Sequence, residues 1–268
     1  MEVIGYIGAV LIGVSLGLIG GGGSILTVPV LVYLFSINPL LSTSYSLFVV
    51  GSTSLVGAYN NYRKNLVSIN TALLFGLSSI STVFITRKWI IPLIPDQLIQ
   101  IGQLTITKSL LTMVLFAILM MVASVTMIKN RPEKENNGEE IKKINASKLL
   151  LYGVLIGLAT GVLGAGGGFL LIPALVLLVG LPMKKAVGTS LLIIALNSLI
   201  GFTGDLGQYM IDWTFLAKIS LIAIAGSYVG SYIGKKIEGE KLKKGFGWFV
   251  LLMGICIITQ ELFFNSHS

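Results

Sequence analysis

Two runs of glycine are the residues of this chain best suited to bind a ligand. They stand at Gly20–Gly23, within GLIGGGGSILTVPVL, and at Gly166–Gly168, within GVLGAGGGFLLIPAL. Glycines let a helix break and let other groups approach the backbone closely. A helix that restarts after such a break presents free N–H groups and a partial positive charge at its first turn. Backbone of this kind binds anions, so two breaks that face each other would suit a small divalent oxyanion.

Polar side chains near the two runs supply further hydrogen-bond donors. Hydroxyls open the span that follows each run, in STSYSL at 42–47 and in AVGTSL at 186–191, and a hydroxyl donates to an anion without carrying charge. Helix capping and helix–helix bonding are the alternative roles for these hydroxyls. Asn197 and its repeat partner Thr53 are further candidate donors. The predicted substrate-binding residues are Gly21, Gly22, Gly23, Ser24, Ser44, Ser46, Gly166, Gly167, Gly168, Thr189, Ser190 and Asn197.

The other residue types that could do chemistry argue against an enzyme. The only histidine, His267, lies in the C-terminal tail, and the only cysteine, Cys256, lies in an apolar run. A His/Cys metal cluster within the membrane is therefore excluded, and no cofactor is predicted. The glycine runs lack the Lys-Ser/Thr pair of a nucleotide-binding loop. The GGGS segment lacks the histidine base of an intramembrane serine protease, so we predict no catalytic residues.

The composition is that of a membrane protein. Of 268 residues, 54% are hydrophobic and 11% are charged, with a mean hydropathy of +0.90, whereas soluble domains carry about 25% charged residues. Several apolar runs approach the ~20 residues that cross a bilayer core. The first run has no basic residue before it, so we expect no cleavable signal. The net charge of +8 gathers in short loops, as expected beside a membrane, and does not indicate nucleic acid as a partner.

An internal duplication relates the two halves by a shift of 144 positions. Four glycines, two leucines and a proline between Gly17 and Leu31 fall on identical residues between Gly161 and Leu175, which indicates a repeat. The halves meet at a charged seam, Arg131–Lys143. We therefore predict an N-terminal transmembrane repeat at 1–128, a charged cytoplasmic linker at 129–147 and a C-terminal transmembrane repeat at 148–268.

Each repeat begins with an apolar unit of 33 residues, Val3–Phe35 and Lys148–Gly180. One straight helix of that length would measure about 50 Å, too long for a bilayer, whereas two full crossings need more residues. We predict that each unit enters, breaks at its glycines, and returns. The other predicted spans are Leu40–Tyr59, Leu66–Thr86, Thr105–Ile128, Lys184–Thr203, Trp213–Gly234 and Gly245–Phe264.

Loop charges favour the returning unit over a single crossing. The lysines at 184–185 and those at 235–244 both lie on the cytoplasmic side only if the second unit returns, as the positive-inside rule requires. This topology leaves Arg87 and Lys88 outside, its one mismatch. Lys108 and Lys218, at span edges, either snorkel or contact the substrate. The predicted fold class is an all-α integral membrane protein of two inverted-topology repeats, each with one broken, re-entrant helical unit plus three transmembrane helices, a recurring transporter design.

These motifs together resemble the TauE/SafE sulfite-exporter family of membrane permeases. The resemblance rests on the duplicated glycine-rich segment that ends in Pro-x-Leu, followed in the second half by Gly-Thr-Ser-Leu at 188–191. In the first half, Ser44 and Tyr45 replace the Gly-Thr pair. The resemblance covers nearly the whole chain apart from the seam. It implies transport of small sulfur-containing anions, such as sulfite or organosulfonates, across the bacterial inner membrane.

The function that we predict is export of such an anion by alternating access, with the substrate between the two glycine breaks. No carboxylate is expected within the spans, so export would run on the membrane potential without a proton-coupling group. An anion or small-solute channel, a permease for a different small organic anion, and a membrane scaffold are the alternatives. The sequence leaves a homo-oligomer open.

Overall fold

The structure, a computed structural model, describes residues 2–21, 23–101, 104–129, 146–164, 168–177, 179–234 and 239–263. It is mostly helical, as predicted. Four of the described helices are long and apolar enough to cross a membrane, and they cover Pro39–Tyr62, Ile69–Leu93, Lys184–Asp205 and Trp213–Gly234.

The first half contains the first broken unit, two long helices, a hairpin and a further helix. Asn38 caps the helix that begins at Pro39, because its side chain accepts a hydrogen bond from the Leu40 N–H at 2.9 Å. The elements are α1 (Glu2–Ile19), α2 (Gly23–Pro29) with a π-helical continuation (Val30–Leu34), α3 (Pro39–Tyr62), α4 (Ile69–Ile85) with a second π-helical segment (Thr86–Ile90), the short α5 (Ile91–Leu93), strands β1 (Gln97–Ile101) and β2 (Leu104–Thr107), and α6 (Lys108–Ile128).

The second half has a similar order of helices, and its described residues include no hairpin. Its elements are α7 (Ala146–Leu163), α8 (Gly168–Leu177), α9 (Met183–Asp205), α10 (Trp213–Gly234) and α11 (Gly239–Phe263). The bounds of α10 are those predicted from hydropathy.

The first broken unit reverses direction at its glycines. Gly23, at the start of α2, packs against Ile12 and Leu16 of α1. Farther along, Gly8 of α1 packs against the π-helical continuation of α2, and Gly5 meets the ring of Phe35. The second arm therefore runs back along the first, as the length of the unit suggested.

Each broken unit packs against a helix of the opposite half. Gly13 and Gly17 of α1 meet the backbone of α10 at Ala223 and Ser227. In the equivalent interface, the α7 glycine Gly157 meets α4 at Ser79. Small residues allow such close backbone approach between helices in a membrane. The two halves are thus interlocked, each supplying a partner for the other's broken unit.

Helices α3 and α9, which occupy equivalent positions in the two halves, pack antiparallel at the centre. A Cβ on Gly57 of α3 would meet Leu191 of α9, and one on Gly201 of α9 would meet Leu47 of α3. Leu47 and Leu191 are repeat partners, as are Gly57 and Gly201. The same contact is therefore made twice, once from each side.

Three predicted features of the first half were wrong. The span expected to end at Thr86 continues through the π-helical segment to Leu93, and the chain is not all-α, because β1 and β2 form an antiparallel pair. Lys108 holds this region together: its ammonium donates to the backbone carbonyls of Ile91 and, at 3.2 Å, of Ile94. A charged donor thereby satisfies carbonyls at the helix end, and the following helix begins at Lys108 instead of Thr105.

Candidate functional site

The two glycine breaks meet inside the protein. A Cβ on Gly168 would lie 2.8 Å from the Cα of Gly21, and a Cβ on Gly21 would lie 2.6 Å from the carbonyl oxygen of Gly168. Only hydrogen fits at either position, so the glycines are needed for the contact between the breaks. Gly22, Gly166 and Gly167 lie outside the described residues.

Both breaks begin in the same way. Gly20 and Gly164 have φ angles of +78° and +66°, in the left-handed region that glycine adopts without strain. Their N–H groups donate to the carbonyls of Leu16 and Thr160 at 2.8 and 2.9 Å. These αL glycines terminate α1 and α7 and turn the chain toward the second arm.

The second arms start within the glycine runs and not at the prolines. The arm α2 begins at Gly23, next to Ser24, and Pro29 is its last α-helical residue. Pro173 likewise lies inside α8. Ser24 uses its hydroxyl within the break, where it donates to the Gly21 carbonyl at 2.7 Å.

Some of the predicted polar side chains already have hydrogen-bond partners within the protein, and others do not. In the second half, the Thr189 hydroxyl accepts from the Ser68 N–H at 2.9 Å, and Ser190 donates to the Val187 carbonyl. These two side chains therefore stabilise a helix start and a helix turn. The free groups are the hydroxyls of Ser44 and Ser46 and the carbonyl oxygen of the Asn197 side chain, all buried and without a hydrogen-bond partner in the described part of the chain.

Asn197 is held from one side only. Its amide N–H donates to the hydroxyl of Ser79 on α4, so it ties α9 to α4. The repeat partner of Asn197, Thr53, is occupied differently, because its hydroxyl donates to the Val49 carbonyl of its own helix at 2.7 Å. Of this pair, only Asn197 keeps a free polar atom.

A buried ion pair, which the sequence did not predict, lies beside the second break. Arg87 is 1% exposed, and its Nη1 donates to Oδ2 of Asp205 at 3.1 Å and to the hydroxyl of Thr43 at 3.0 Å. Thr43 accepts this bond while donating its own proton to the Leu40 carbonyl. The mismatch of Arg87 with the loop-charge rule was the only signal of this pair in the sequence. Arg87 is not a loop residue, and α9 extends to Asp205, so a carboxylate does lie in a membrane span.

The other edge of the Arg87 guanidinium is free. Its Nε and Nη2 atoms are buried and have no hydrogen-bond partner among the described residues. A Cβ on Gly164 would lie 2.5 Å from Nη2, and it would also collide with Thr43. The free edge therefore faces the glycine that opens the second break.

Unpaired hydroxyls lie on the helices that meet at this break. Thr160 precedes Gly164 by one helical turn, and Thr86 precedes Arg87; both hydroxyls are buried and have no partner in the described ranges. Ser44 lies beside the Asp205 carboxylate without the geometry of a direct hydrogen bond. The helices at the second break thus carry several buried polar groups, among them one guanidinium.

The loop after α9 covers these groups. Gln208 donates to the carbonyls of Gly204 and Arg87 at 2.9 and 3.3 Å. Nearby, burial raises the pKa of the Tyr209 phenol, and the negative charge of Asp205 raises it further, so Tyr209 stays neutral at physiological pH. Neither Gln208 nor Tyr209 therefore brings a charge to the pair.

The two lysines at span edges lie elsewhere. Lys108 donates to backbone carbonyls at the end of α5, as described above, and Lys218 is exposed on α10. Neither is among the polar groups at the second break.

Comparison with known proteins agrees with this architecture. The sequence matches the family described as Sulfite exporter TauE/SafE over residues 6–257. A probable membrane transporter protein of Xylella fastidiosa (strain 9a5c) is 29% identical over 257 residues, which cover 94% of this chain and 92% of the relative. The probable membrane transporter protein YdhB of Bacillus subtilis (strain 168) is 28% identical over 254 residues, with 92% and 96% covered. No solved structure matches the chain. Because the family match spans nearly the whole sequence and the described helices include several that can cross a bilayer, this chain is a multi-pass membrane transporter that belongs to the TauE/SafE sulfite exporter family.

Proposed function

We propose that this protein exports a small sulfur-containing anion, such as sulfite or an organosulfonate, and that the anion binds between the two glycine breaks. The observation that carries the proposal is the contact of Gly21 with Gly168, which joins the two breaks in the interior. Backbone that leaves the helix at membrane depth is tolerated where it is buried in protein or lines a wet cavity. The family's description names sulfite, which supplies the class of anion.

The electrostatics near the breaks favour an anion. Helix α8 begins at Gly168 with free N–H groups and the positive end of its dipole. The free edge of Arg87, at Gly164, adds N–H donors that carry a full charge. Buried donors without acceptors are costly, and an oxyanion would satisfy several of them at once.

We further propose that the halves form inverted repeats that rock about the breaks. The antiparallel packing of α3 and α9, with its doubled Gly57–Leu191 and Gly201–Leu47 contacts, supports an approximate two-fold axis between the halves. Each broken unit packs on a helix of the opposite half, so a rotation of one half would carry one break past the other. Inverted repeats with broken helices at the midplane commonly alternate access in this way.

Export of a dianion would gain energy from the membrane potential. One charge that crosses 100 mV is worth about 2.3 kcal/mol, and a dianion leaving a negative interior gains about twice that. Asp205 does not need to carry protons for this mechanism, because Arg87 already balances its charge.

The test is sulfite flux in proteoliposomes at imposed potentials. We expect efflux to rise when the interior is made negative, and counterflow of labelled sulfite to appear, as it does for a carrier. Flux without counterflow would identify a channel. Sulfite efflux that is indifferent to the potential would exclude the electrogenic mechanism.

A pair of glycine variants links that flux to the breaks. In Gly168→Val, the new side chain would collide with the backbone of Gly21, whereas Gly245→Val adds the same side chain where nothing lies within 4 Å. We expect the first variant to lose transport and the second to keep it. Wild-type flux in a folded Gly168→Val variant would place the path elsewhere.

A further inference from the structure

We infer that the Nε–Nη2 edge of Arg87 is the charged contact of the transported oxyanion, and that Asp205 keeps the affinity of this contact low enough for release. The inference rests on the proposed function, because it assigns the anion a place at the second break. It names two residues that sequence reasoning did not assign to the site.

The donor geometry of Arg87 fits an oxyanion. A guanidinium carries five N–H donors in one plane, and in Arg87 the hydrogen bonds to Thr43 and Asp205 both come from Nη1. The remaining edge, Nε–H beside Nη2–H, is a fork that matches two oxygens of a planar or tetrahedral anion. Buried arginine donors are rarely left unpaired, so a buried fork that has no partner among the described residues points to a ligand.

The surroundings of the fork combine a close backbone contact with further donors. Gly164 lies directly against Nη2, where a Cβ would come within 2.5 Å of that nitrogen, and its positive φ ends α7. The hydroxyls of Thr86, Thr160 and Ser44 are buried and unpaired in the part of the chain that the structure describes. An oxyanion on the fork has further oxygens to be satisfied, and neutral hydroxyls can donate to them.

Asp205 has the opposite effect on the anion. Its carboxylate neutralises Arg87 at 3.1 Å, so an arriving anion meets a pair that is neutral overall. The like charge of Asp205 opposes binding by Coulomb repulsion, which is strong where water is excluded. A transporter needs such a balance, since a bare buried guanidinium would hold a sulfur oxyanion too tightly to release it.

The experiment measures sulfite binding to the purified full-length protein, with sulfate as a second probe. Replacing Arg87 alone would leave an unpaired buried carboxylate, so the key variant is Arg87→Gln combined with Asp205→Asn, which removes both charges and keeps the shapes similar. We expect its sulfite affinity to fall by about 10- to 100-fold, the range for hydrogen bonds to a charged group. Lys218→Gln, which removes an exposed cation, is the matched control and should change nothing.

Two single variants test the paired N–H donors of Arg87 and the opposing charge of Asp205. Arg87→Lys keeps the ion pair without the parallel donors, and we expect affinity to fall by about tenfold. Asp205→Asn removes the competing charge, and we expect affinity to rise by about tenfold or more while release slows. The opposite result, weaker binding in a folded Asp205→Asn variant, would overturn the role of Asp205.

The outcomes separate this inference from the proposed function. If the wild type exports sulfite and the doubly neutral variant binds it with unchanged affinity, the Arg87 contact is wrong and the transport proposal stands. If the wild type binds sulfite through Arg87 but carries no sulfur anion across the bilayer, the transport proposal is wrong and the contact stands. If the wild type binds neither sulfite nor sulfate, the Arg87 contact is overturned together with the proposal of sulfite export.

Discussion

Gly20 and Gly164 hold equivalent places at the two helix breaks, and each packs against the residue that holds the equivalent place in the opposite half. For Gly20 this neighbour is Val187, and for Gly164 it is Thr43. Both glycines have a positive φ, and the N–H of each closes the last turn of its helix, α1 or α7. The duplication has therefore kept the backbone of the breaks while the side chains around them have diverged.

The divergence concerns charge above all. The positions equivalent to Arg87 and Asp205 are Ser231 and Asn61, and both side chains are neutral and make hydrogen bonds to backbone carbonyls. Ser231 donates to the Gly17 carbonyl at 3.3 Å, and Asn61 donates to the Gly57 carbonyl at 2.9 Å. The two halves thus keep the backbone of the breaks, whereas the binding site that we propose has its charge in one half only. This arrangement suits a carrier whose two halves move alike while the anion is held mainly by one of them.

The largest effect on stability should come from removing the positive charge at the second break while its partner carboxylate stays. Arg87→Gln leaves Asp205 buried without a cation, and we expect the free energy of unfolding to fall by about 3–5 kcal/mol. At the equivalent position, Ser231→Ala removes one hydrogen bond between α10 and α1, which is worth about 0.6 kcal/mol in a membrane protein. Unfolding by SDS titration in mixed micelles measures both.

Adding Asp205→Asn to Arg87→Gln is the control for this prediction. If the loss arises from an unpaired charge, the second substitution should restore most of the stability. Equal losses at Arg87 and Ser231 would contradict the asymmetry between the breaks.

The features that the sequence predicted well depend on local signals. The duplication, the positions of both breaks, and the bounds of α10 follow from glycine spacing and apolar runs, which are written in contiguous residues. The sequence could also predict that the breaks matter, because a run such as Gly20–Gly23 exceeds what helix packing needs. That the two breaks face each other was expected from the repeat, whereas the contact of Gly21 with Gly168 comes from the structure.

The features that it missed depend on distant partners. Arg87 and Asp205 are 118 positions apart, and each looks like a loop residue because a charge lowers the hydropathy of its window. In the fold each neutralises the other, and the helical segments after α4 and the end of α9 both run past the predicted ends. The β1–β2 hairpin was missed for a different reason: its alternating pattern is short and adjoins a strong helical segment.

The next largest effect concerns the glycines that open the breaks. Alanine at either position must adopt a left-handed φ, which costs about 1–2 kcal/mol. Gly180→Ala measures this cost alone, because Gly180 has a φ of +74° and open space around it. We expect Gly164→Ala to lose about 2–4 kcal/mol in total, since its Cβ would collide with Thr43 and Arg87.

Compensating substitutions should separate the two breaks. The Cβ of Gly20→Ala would collide with a methyl group of Val187, so Val187→Ala should relieve the collision. The Cβ of Gly164→Ala would also meet the backbone carbonyl of Thr43, which Thr43→Ala leaves in place. In unfolding measurements we therefore expect Val187→Ala to restore stability to Gly20→Ala, and Thr43→Ala not to restore stability to Gly164→Ala. If both variants regain stability, or neither does, the second break is no more tightly packed than the first.

The smallest effect tests the hydroxyl that marks the charged break. Thr43→Val keeps the shape of the side chain but removes the acceptor for Nη1 of Arg87. Asp205 still holds the same nitrogen, so we expect a loss of about 1.5 kcal/mol, the lower end for hydrogen bonds to a charged group. The reverse exchange, Val187→Thr, brings a hydroxyl to the break that has no charge. Because position 187 is only partly buried, this substitution should lower the free energy of unfolding by less than about 1 kcal/mol.

The control combines Thr43→Val with Arg87→Gln and Asp205→Asn. In this variant the loss due to Thr43→Val should largely disappear, because the charged donor is gone. A loss that persists in the neutral background would assign Thr43 to the packing of α3, and the distinction between the breaks would then rest on the ion pair alone.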